Sequence, residues 1–158
     1  DIQKNYSVQC ALEKHPIKAG DSHYTYKTES LFTKPLALKT AVDVFYDRYK
    51  DQKITGIVAT NHNSFALGAA LSYLMGIPVM VQSSDMVLES NGYYIILTDI
   101  IYESTPIQKA IASIHAQQAH VVEVACLTEI HTLNARQQIQ APIFSIFIER
   151  FQKKTDQS

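Results

Sequence analysis

Polar side chains follow two apolar segments of this chain, at the points where helices are about to begin. The first group comes after residues 54–60 and consists of Asn61, His62, Asn63 and Ser64. The second group closes residues 93–98 and consists of Thr98, Asp99, Tyr102, Glu103, Ser104 and Thr105. Because open α/β sheets bind ligands at the carboxyl ends of their strands, both groups are expected to line one crevice. Their hydroxyls, amides and carboxylates would bind a small polar molecule through hydrogen bonds.

The second group is poorly suited to a phosphate, although a strand that feeds a helix often binds anions through the first helical N–H groups. Glu103 would place a carboxylate beside the anion, at a cost of roughly 4 kcal/mol for charges about 4 Å apart at an effective dielectric of 20. The helix dipole contributes only about 0.3 to 2 kcal/mol. Pro106 removes one donor, and Thr105 with Gln108 is predicted to form a capping box that occupies others. A ligand group near Glu103 is therefore expected to be neutral or cationic.

Alternating helical and strand patterns surround these two groups. Apolar spacing predicts a helix from Pro35 to about Lys50, a second over residues 65–75 and a third from Thr105. The predicted strands are residues 54–60, 79–81, 93–98, 120–128 and 142–148, with a short helical piece over residues 134–139. Asn61 and Ser64 are expected to cap the second helix. Strands separated by single helices indicate an α/β fold with a central parallel sheet flanked by helices.

The composition suits one globular domain. The chain has 158 residues, 46% of them hydrophobic, and its net charge of -1 gives no electrostatic reason to expect nucleic acid or an anionic membrane as a partner. No apolar stretch approaches the length of a membrane span. Cys126 lies in an apolar run and is predicted to be a buried, reduced thiol, which favours a cytoplasmic protein. The spacing of the histidines and cysteines predicts no metal site.

Residues 121–147, VVEVACLTEIHTLNARQQIQAPIFSIF, carry the most specific pattern of the chain. They resemble the adenine phosphoribosyltransferase family, in which a strand of the form Val-Val-Glu-Cys is followed by Glu, by Leu-x-Gly-Arg and by a final strand. The matching residues are Glu123, Glu129, Leu133 and Arg136, while Ala135 stands in the place of the family's glycine. The resemblance extends over residues 35–151 and, more weakly, over residues 14–34.

This resemblance implies the type I phosphoribosyltransferase fold. A five-stranded parallel core would span residues 35–151, with a small N-terminal hood over residues 1–34. The polar composition of residues 152–158 separately predicts a disordered tail. The resemblance also implies a homodimer, and an ancestral reaction of a purine base with phosphoribosyl pyrophosphate that releases pyrophosphate with the help of magnesium. Magnesium is expected only if this activity is retained. Tyr24 and Tyr26 of the hood are the candidates for stacking on a base.

Most motifs that would serve this reaction are altered. The family ends its central strand in two acids that meet the ribose hydroxyls, whereas here Thr98 replaces the first acid and Asp99 keeps the second. Residues 102–106 replace the glycine-rich loop that holds the 5′-phosphate. Asn63 stands in place of the arginine that binds pyrophosphate. Residues 82–92 form a connection too short for the family's mobile lid.

These changes predict a phosphoribosyltransferase-like protein that is catalytically inactive or altered. It would bind a small nucleoside- or nucleotide-like ligand, or a protein partner, in a regulatory role. Two alternatives stay open. In one, the chain is an active purine phosphoribosyltransferase of the adenine type, in which Asp99 orients the ribose and a partner subunit supplies the lost basic residues. In the other, it is a structural partner of an active paralogue.

Overall fold

A parallel sheet of five strands, in the order β4-β3-β5-β6-β7, forms the centre of the computed structural model, which describes residues 2–16 and 24–150. A separate antiparallel pair, β1 (Glu13–Pro16) and β2 (Tyr24–Lys27), precedes it. The strands of the central sheet are β3 (Gly56–Ala59), β4 (Val79–Val81), β5 (Tyr93–Ile101), β6 (His120–Ile130) and β7 (Ile143–Glu149). The predicted parallel sheet is therefore confirmed.

Helices cover both faces of this sheet. They are α1 (Ile2–Cys10), α2 (Glu29–Phe32), α3 (Pro35–Tyr49), α4 (His62–Met75) and α5 (Thr105–Ala116). Helices α1, α3 and α4 pack on one face around a core that includes Phe45, Leu71 and Ile95. Helix α5 packs on the other face, where Ile96 and Ile107 belong to a second core. The alternation of Ile95 and Ile96 between two cores is what a central strand buried on both faces requires.

Strand β5 is longer than its sequence pattern predicts. The apolar run was expected to end at Thr98, but the strand continues to Ile101, and Ile100 and Ile101 still pair with β6. Asp99 does not interrupt the strand, because the residues on both sides of it, Thr98 and Ile100, are paired with β6. The consequence is that Asp99 is positioned by a strand and not by a turn.

Other boundaries shift by a few residues. Helix α4 begins at His62 and not at residue 65, while β3 is shorter than residues 54–60. The predicted helical piece over residues 134–139 is a 3₁₀ turn, Ala135–Gln138. The left-handed conformation needed there belongs to Asn134, with a φ of 54°. The positive φ thus falls on an asparagine, which tolerates it better than most residues, and not on Ala135.

The connection between β4 and β5, residues 82–92, is fastened to the α5 side of the sheet. Gln117, at the end of α5, donates to the Met86 carbonyl at 2.8 Å and accepts from the Leu88 N–H at 2.8 Å. The side chains of Met86 and Leu88 are buried in the second core. This part of the connection is therefore packed against α5.

Two predictions about single features also have outcomes. Cys126 is a free, buried thiol, as expected, and burial raises its pKa to about 12. Within the described part of the chain, no helix has the length and apolarity needed to cross a membrane. The predicted disordered tail, residues 152–158, and residues 17–23 of the predicted hood lie outside the described residues.

Candidate functional site

The ends of β3 and β5 border a cavity of about 310 Å³. Its walls come from the segment that carries β2 and α2, from the start of α4 and from the end of β5. The lining residues are Tyr26, Lys27, Thr28, Glu29, Asn61, Asn63, Asp99, Ile100 and Tyr102. Four of the predicted ligand-binding residues, Asn61, Asn63, Asp99 and Tyr102, therefore meet at one cavity. It lies at the carboxyl edge of the sheet, where a crevice was expected.

Asn61 and Ser64 shape the wall that comes from α4. Asn61 has an extended backbone, with a φ of -154°, and its side chain accepts a hydrogen bond from the Ser64 N–H at 2.8 Å. The Ser64 hydroxyl in turn accepts from the Asn61 N–H at 3.1 Å. This reciprocal capping box confirms the predicted cap. It fixes the first turn of α4, so that His62 and Asn63 are its first residues.

Asp99 is held by two side chains of the protein itself. The Thr28 hydroxyl donates to Asp99 Oδ2 at 2.6 Å, and Asn61 Nδ2 donates to Asp99 Oδ1 at 3.0 Å. Thr28 lies on the segment next to α2, far from Asp99 in sequence. The acid that the resemblance assigns to ribose binding is therefore already a hydrogen-bond acceptor for two residues of the chain.

Thr98 lies behind the cavity and not on its surface. It is 4% exposed, and its hydroxyl accepts a hydrogen bond from Thr60 at 2.8 Å. Thr60 also lies 3.5 Å from the hydroxyl of Ser64, which is fully buried. The position at which the resemblance implies a first acid therefore carries a buried, uncharged hydroxyl group. Two predicted ligand-binding residues, Thr98 and Ser64, belong to this inner network.

Asn63, at the position where the resemblance implies a pyrophosphate-binding arginine, also contacts the protein. Its Nδ2 donates to Glu29 Oε1 at 3.2 Å. Glu29 lies in the first turn of α2 and faces the cavity together with Asn63. An amide that already meets a carboxylate cannot supply the charge with which an arginine binds phosphate. His62, the preceding residue, is exposed and is not among the residues of the cavity wall.

The predicted capping box of α5 is wrong. Ser104, not Thr105, occupies the cap position; its backbone is helical, and no side-chain cap hydrogen bond forms. The Ser104 hydroxyl donates instead to Gln138 Oε1 at 2.9 Å, and Gln108 Nε2 donates to the Gln138 carbonyl at 2.8 Å. An N-cap needs an extended backbone to reach the N–H groups of the first turn, and Ser104 lacks it. The start of α5 is therefore tied to the 3₁₀ turn that contains Gln138.

Exposure weakens the electrostatic argument for Glu103. Tyr102 and Glu103 are both exposed, and Thr105 is exposed as well. In water the repulsion between charges about 4 Å apart falls to about 1 kcal/mol, which no longer exceeds the attraction of a helix dipole. The obstacle to phosphate at this turn is then shared between Glu103, the missing donor of Pro106 and the absence of glycine. Partial burial, and after it the charges of Glu103 and Asp99, raise the pKa of Tyr102.

Replacing Glu103 with Thr and Ser104 with Gly should therefore raise the affinity for AMP by about fivefold to tenfold, equivalent to about 1 to 1.4 kcal/mol. The first change removes the repulsion, and the second frees the backbone to turn its N–H groups toward the phosphate. Calorimetry at low salt is the suitable measurement, because salt screens exposed charges. The matched control is Glu89→Thr, an exposed acid in the connection before β5.

Equal affinities in the double variant and in the wild type would contradict this reading of the turn. So would wild-type protein that already binds a phosphate through the N–H groups of Ser104 and Thr105.

The two tyrosines predicted to stack on a base have different outcomes. Tyr26 is 6% exposed, lines the cavity and donates its hydroxyl to Glu149 Oε2 at 2.7 Å. Burial, and next the hydrogen bond to Glu149, raise the pKa of Tyr26. The side chain of Tyr24 lies outside the described residues. Stacking of a base on either ring stays a prediction.

The described residues contain no group of His, Cys, Asp and Glu that could hold a metal ion. At the cavity, Asp99 is a carboxylate whose two oxygens already accept hydrogen bonds from Thr28 and Asn61. This donor set does not fit a magnesium ion bound by the protein alone, since such sites combine several oxygen ligands.

Thr28, Glu29 and Gln138 are the residues of this site that the sequence did not indicate. Each joins segments that are distant along the chain, so no local spacing reveals the contact. Thr28 precedes a short helix, and a threonine at such a position predicts only an ordinary helix cap.

Similarity in sequence points to one family. An adenine phosphoribosyltransferase from Pseudoalteromonas translucida is 45% identical over 49 residues, which are 31% of this chain and 27% of that protein. An adenine phosphoribosyltransferase from Pasteurella multocida is 35% identical over 76 residues, which are 45% of this chain and 42% of that protein. The chain thus matches less than half the length of either relative. No protein-family model matches it.

Similarity in structure extends over nearly the whole chain. A crystal structure of adenine phosphoribosyltransferase from Rhodothermus marinus has a TM-score of 0.81 at 15% identity and covers 94% of this chain and 100% of that chain. The enzyme from Saccharomyces cerevisiae, complexed with an imino-altritol bisphosphate and adenine, has a TM-score of 0.79 at 18% identity, covering 92% and 99%. At these identities the likeness shows the fold.

Proposed function

We propose that this adenine phosphoribosyltransferase-like chain, which has the type I phosphoribosyltransferase fold, is catalytically inactive and binds a small nucleoside-like ligand in the crevice. Its role would be regulatory, exerted through the ligand or through a protein partner. The supporting observation is the state of Asp99, whose two oxygens already accept hydrogen bonds from Thr28 and Asn61. Each carboxylate oxygen keeps a further lone pair for a ligand hydroxyl or amine.

The charges of the cavity wall favour an uncharged ligand over phosphoribosyl pyrophosphate. Among the described lining residues, Lys27 is positive, whereas Glu29 and Asp99 are negative. A ligand with several phosphate charges would meet a wall on which the acids outnumber the base. A nucleoside carries no such charges, and its hydroxyl and amino groups are donors suited to carboxylate and amide acceptors.

Isothermal titration calorimetry with adenosine, adenine, AMP and phosphoribosyl pyrophosphate, in the presence of magnesium, tests this proposal. The dissociation constant of adenosine is expected to be lower than that of AMP by a factor of about ten or more. Phosphoribosyl pyrophosphate is expected to bind most weakly. Asp99→Asn should weaken adenosine binding by about tenfold, because it removes a charged acceptor. Asp51→Asn, which changes an exposed acid after α3, is the matched control and should have no effect.

Other results would favour the rival functions. Tighter binding of phosphoribosyl pyrophosphate than of adenosine would contradict the proposal and support an active purine phosphoribosyltransferase. Absence of binding by all four compounds would contradict it in favour of a structural partner of an active paralogue.

The family resemblance also supports a homodimer as the proposed assembly. The free thiols of Cys10 and Cys126 agree with a reducing compartment, and the proposed location is the cytoplasm. Magnesium enters this proposal only as a companion of a phosphorylated ligand.

A further inference from the structure

We infer that the β2–α2 segment, residues 24–32, acts as an internal ligand of the crevice and must move before Asp99 becomes fully available to another molecule. Two hydrogen bonds, here called the crevice contacts, carry this inference: Thr28 to Asp99 and Asn63 to Glu29. The resemblance assigns positions 99 and 63 to substrate binding. In this chain, Asp99 and Asn63 are each hydrogen-bonded to a side chain of the segment.

The hydroxyl of Thr28 does not cap the helix that follows it. Thr28 is the residue before α2, where a threonine side chain ordinarily accepts from the N–H groups of the first turn. Here its backbone is helical, with a φ of -62°, and no such cap forms. The hydroxyl instead donates to Asp99 Oδ2 at 2.6 Å, and Thr28 is only 2% exposed. Separating this buried hydroxyl from the carboxylate costs free energy unless another acceptor takes the place of the carboxylate.

Glu29 adds the second crevice contact from the next position of the chain. Its carboxylate accepts from Asn63 Nδ2 at 3.2 Å, and both residues line the same cavity as Thr28 and Asp99. The resemblance implies a pyrophosphate-binding residue at position 63, and the carboxylate of Glu29 is the anion that Asn63 contacts instead. Thr28 and Glu29 thus present to the crevice a hydroxyl and an anion, the two kinds of group that phosphoribosyl pyrophosphate would present.

The same segment is also anchored outside the crevice. Tyr26 donates to Glu149 at 2.7 Å, and this contact does not involve Asp99 or Asn63. Breaking the crevice contacts should therefore loosen the segment without releasing it completely. A molecule that needs Asp99 Oδ2 competes with Thr28. Its apparent association constant therefore equals the intrinsic constant multiplied by the fraction of molecules in which the segment has moved away. This regulatory consequence rests on the proposed function, whereas the contacts themselves do not.

Hydrogen–deuterium exchange followed by mass spectrometry, without any ligand, tests the inference. In Thr28→Val/Glu29→Ala, amides of residues 24–32 should exchange about tenfold faster than in the wild type, while those of residues 93–98 stay protected. Thr40→Val is the matched control, because its hydroxyl donates to the Leu36 carbonyl at 2.9 Å within α3, outside the segment. Asp99→Ala removes the acceptor of the Thr28 hydroxyl from the strand side and should also speed exchange in residues 24–32.

Unchanged exchange in both the double variant and Asp99→Ala would overturn the inference. A titration of Thr28→Val with adenosine separates the two proposals. Faster exchange with no adenosine binding by any variant would uphold the internal ligand and overturn the proposed function. Adenosine binding to the wild type, together with unchanged exchange in the variants, would overturn the internal ligand and leave the proposed function standing.

Discussion

Purified protein supplied with adenine, phosphoribosyl pyrophosphate and magnesium is expected to form no AMP above a protein-free control. Three features of the crevice lead to this expectation. Thr98 is a buried hydroxyl bonded to Thr60, Asn63 is bonded to Glu29 and lacks a charge, and residues 82–92 are fastened to α5. Loss of a single group that stabilises developing charge lowers rates by about 10² to 10³. Loss of a closing lid would add to this by admitting water.

The measurement is a radiochemical or coupled assay for AMP over many enzyme equivalents of substrate. An assayed adenine phosphoribosyltransferase is the positive control, and Asp99→Asn distinguishes trace contamination from activity of the chain itself. Multiple turnovers that are abolished in Asp99→Asn would contradict the expectation. They would make this chain an enzyme with substitute groups, the rival in which Asp99 orients the ribose.

The parallel sheet was predictable because its signals are local. The apolar run from Tyr94 to Leu97 is buried, as continuous hydrophobic strands of parallel sheets are. Pro35 marks the start of α3, since proline suits the first turn of a helix. Asn61 was recognised as a cap because its partner, Ser64, is only three residues away. In each case the physical cause lies within one element and its neighbours.

The predictions that failed depended on distant partners. The cap of α5 was assigned to Thr105 from a local pattern, but Ser104 and Gln108 bond to Gln138. No spacing within one helix reveals an acceptor on another element. The same limit explains why Thr28 was not predicted to hold Asp99. The sequence therefore predicted which elements border the crevice, but not which side chains form hydrogen bonds with one another there.

Glu129 and Arg136 illustrate a motif whose retention has a structural explanation. Both match the family pattern, and in the fold they form a bidentate ion pair, with Nε to Oε2 at 2.8 Å and Nη2 to Oε1 at 2.5 Å. Ser145 donates to the same carboxylate at 2.9 Å, and Glu129 is 1% exposed. The pair joins the end of β6 to the 3₁₀ turn and to β7. The two residues therefore have a role in the fold that does not depend on substrate binding.

Arg136→Ala should lower the free energy of unfolding by about 3 kcal/mol at neutral pH. Removing one partner of a buried ion pair costs about 3 to 5 kcal/mol, because the remaining charge is buried without compensation. The lower end applies here, since the Arg136 side chain is 42% exposed and Ser145 still donates to Glu129. Urea denaturation measures the loss. Arg150→Ala, which changes an exposed arginine after β7, is the control and should change stability by less than about 0.5 kcal/mol.

The pH dependence gives this prediction a second, sharper test. Burial pushes the pKa of Glu129 upward, but hydrogen bonds from Arg136 and Ser145, and the charge of Arg136, outweigh burial and lower it below its ordinary 4.5. In the wild type, the stability that this ionised pair contributes is present above the unfolded-state pKa and is lost as pH falls through the folded-state pKa. In Arg136→Ala the buried carboxylate loses its main partner, so its pKa should rise and acid should favour the folded state. The difference in unfolding free energy between the two proteins should therefore be largest near pH 7 and shrink below pH 4.5. An equal difference at both pH values would mean that Arg136 stabilises the fold by packing and not by its charge.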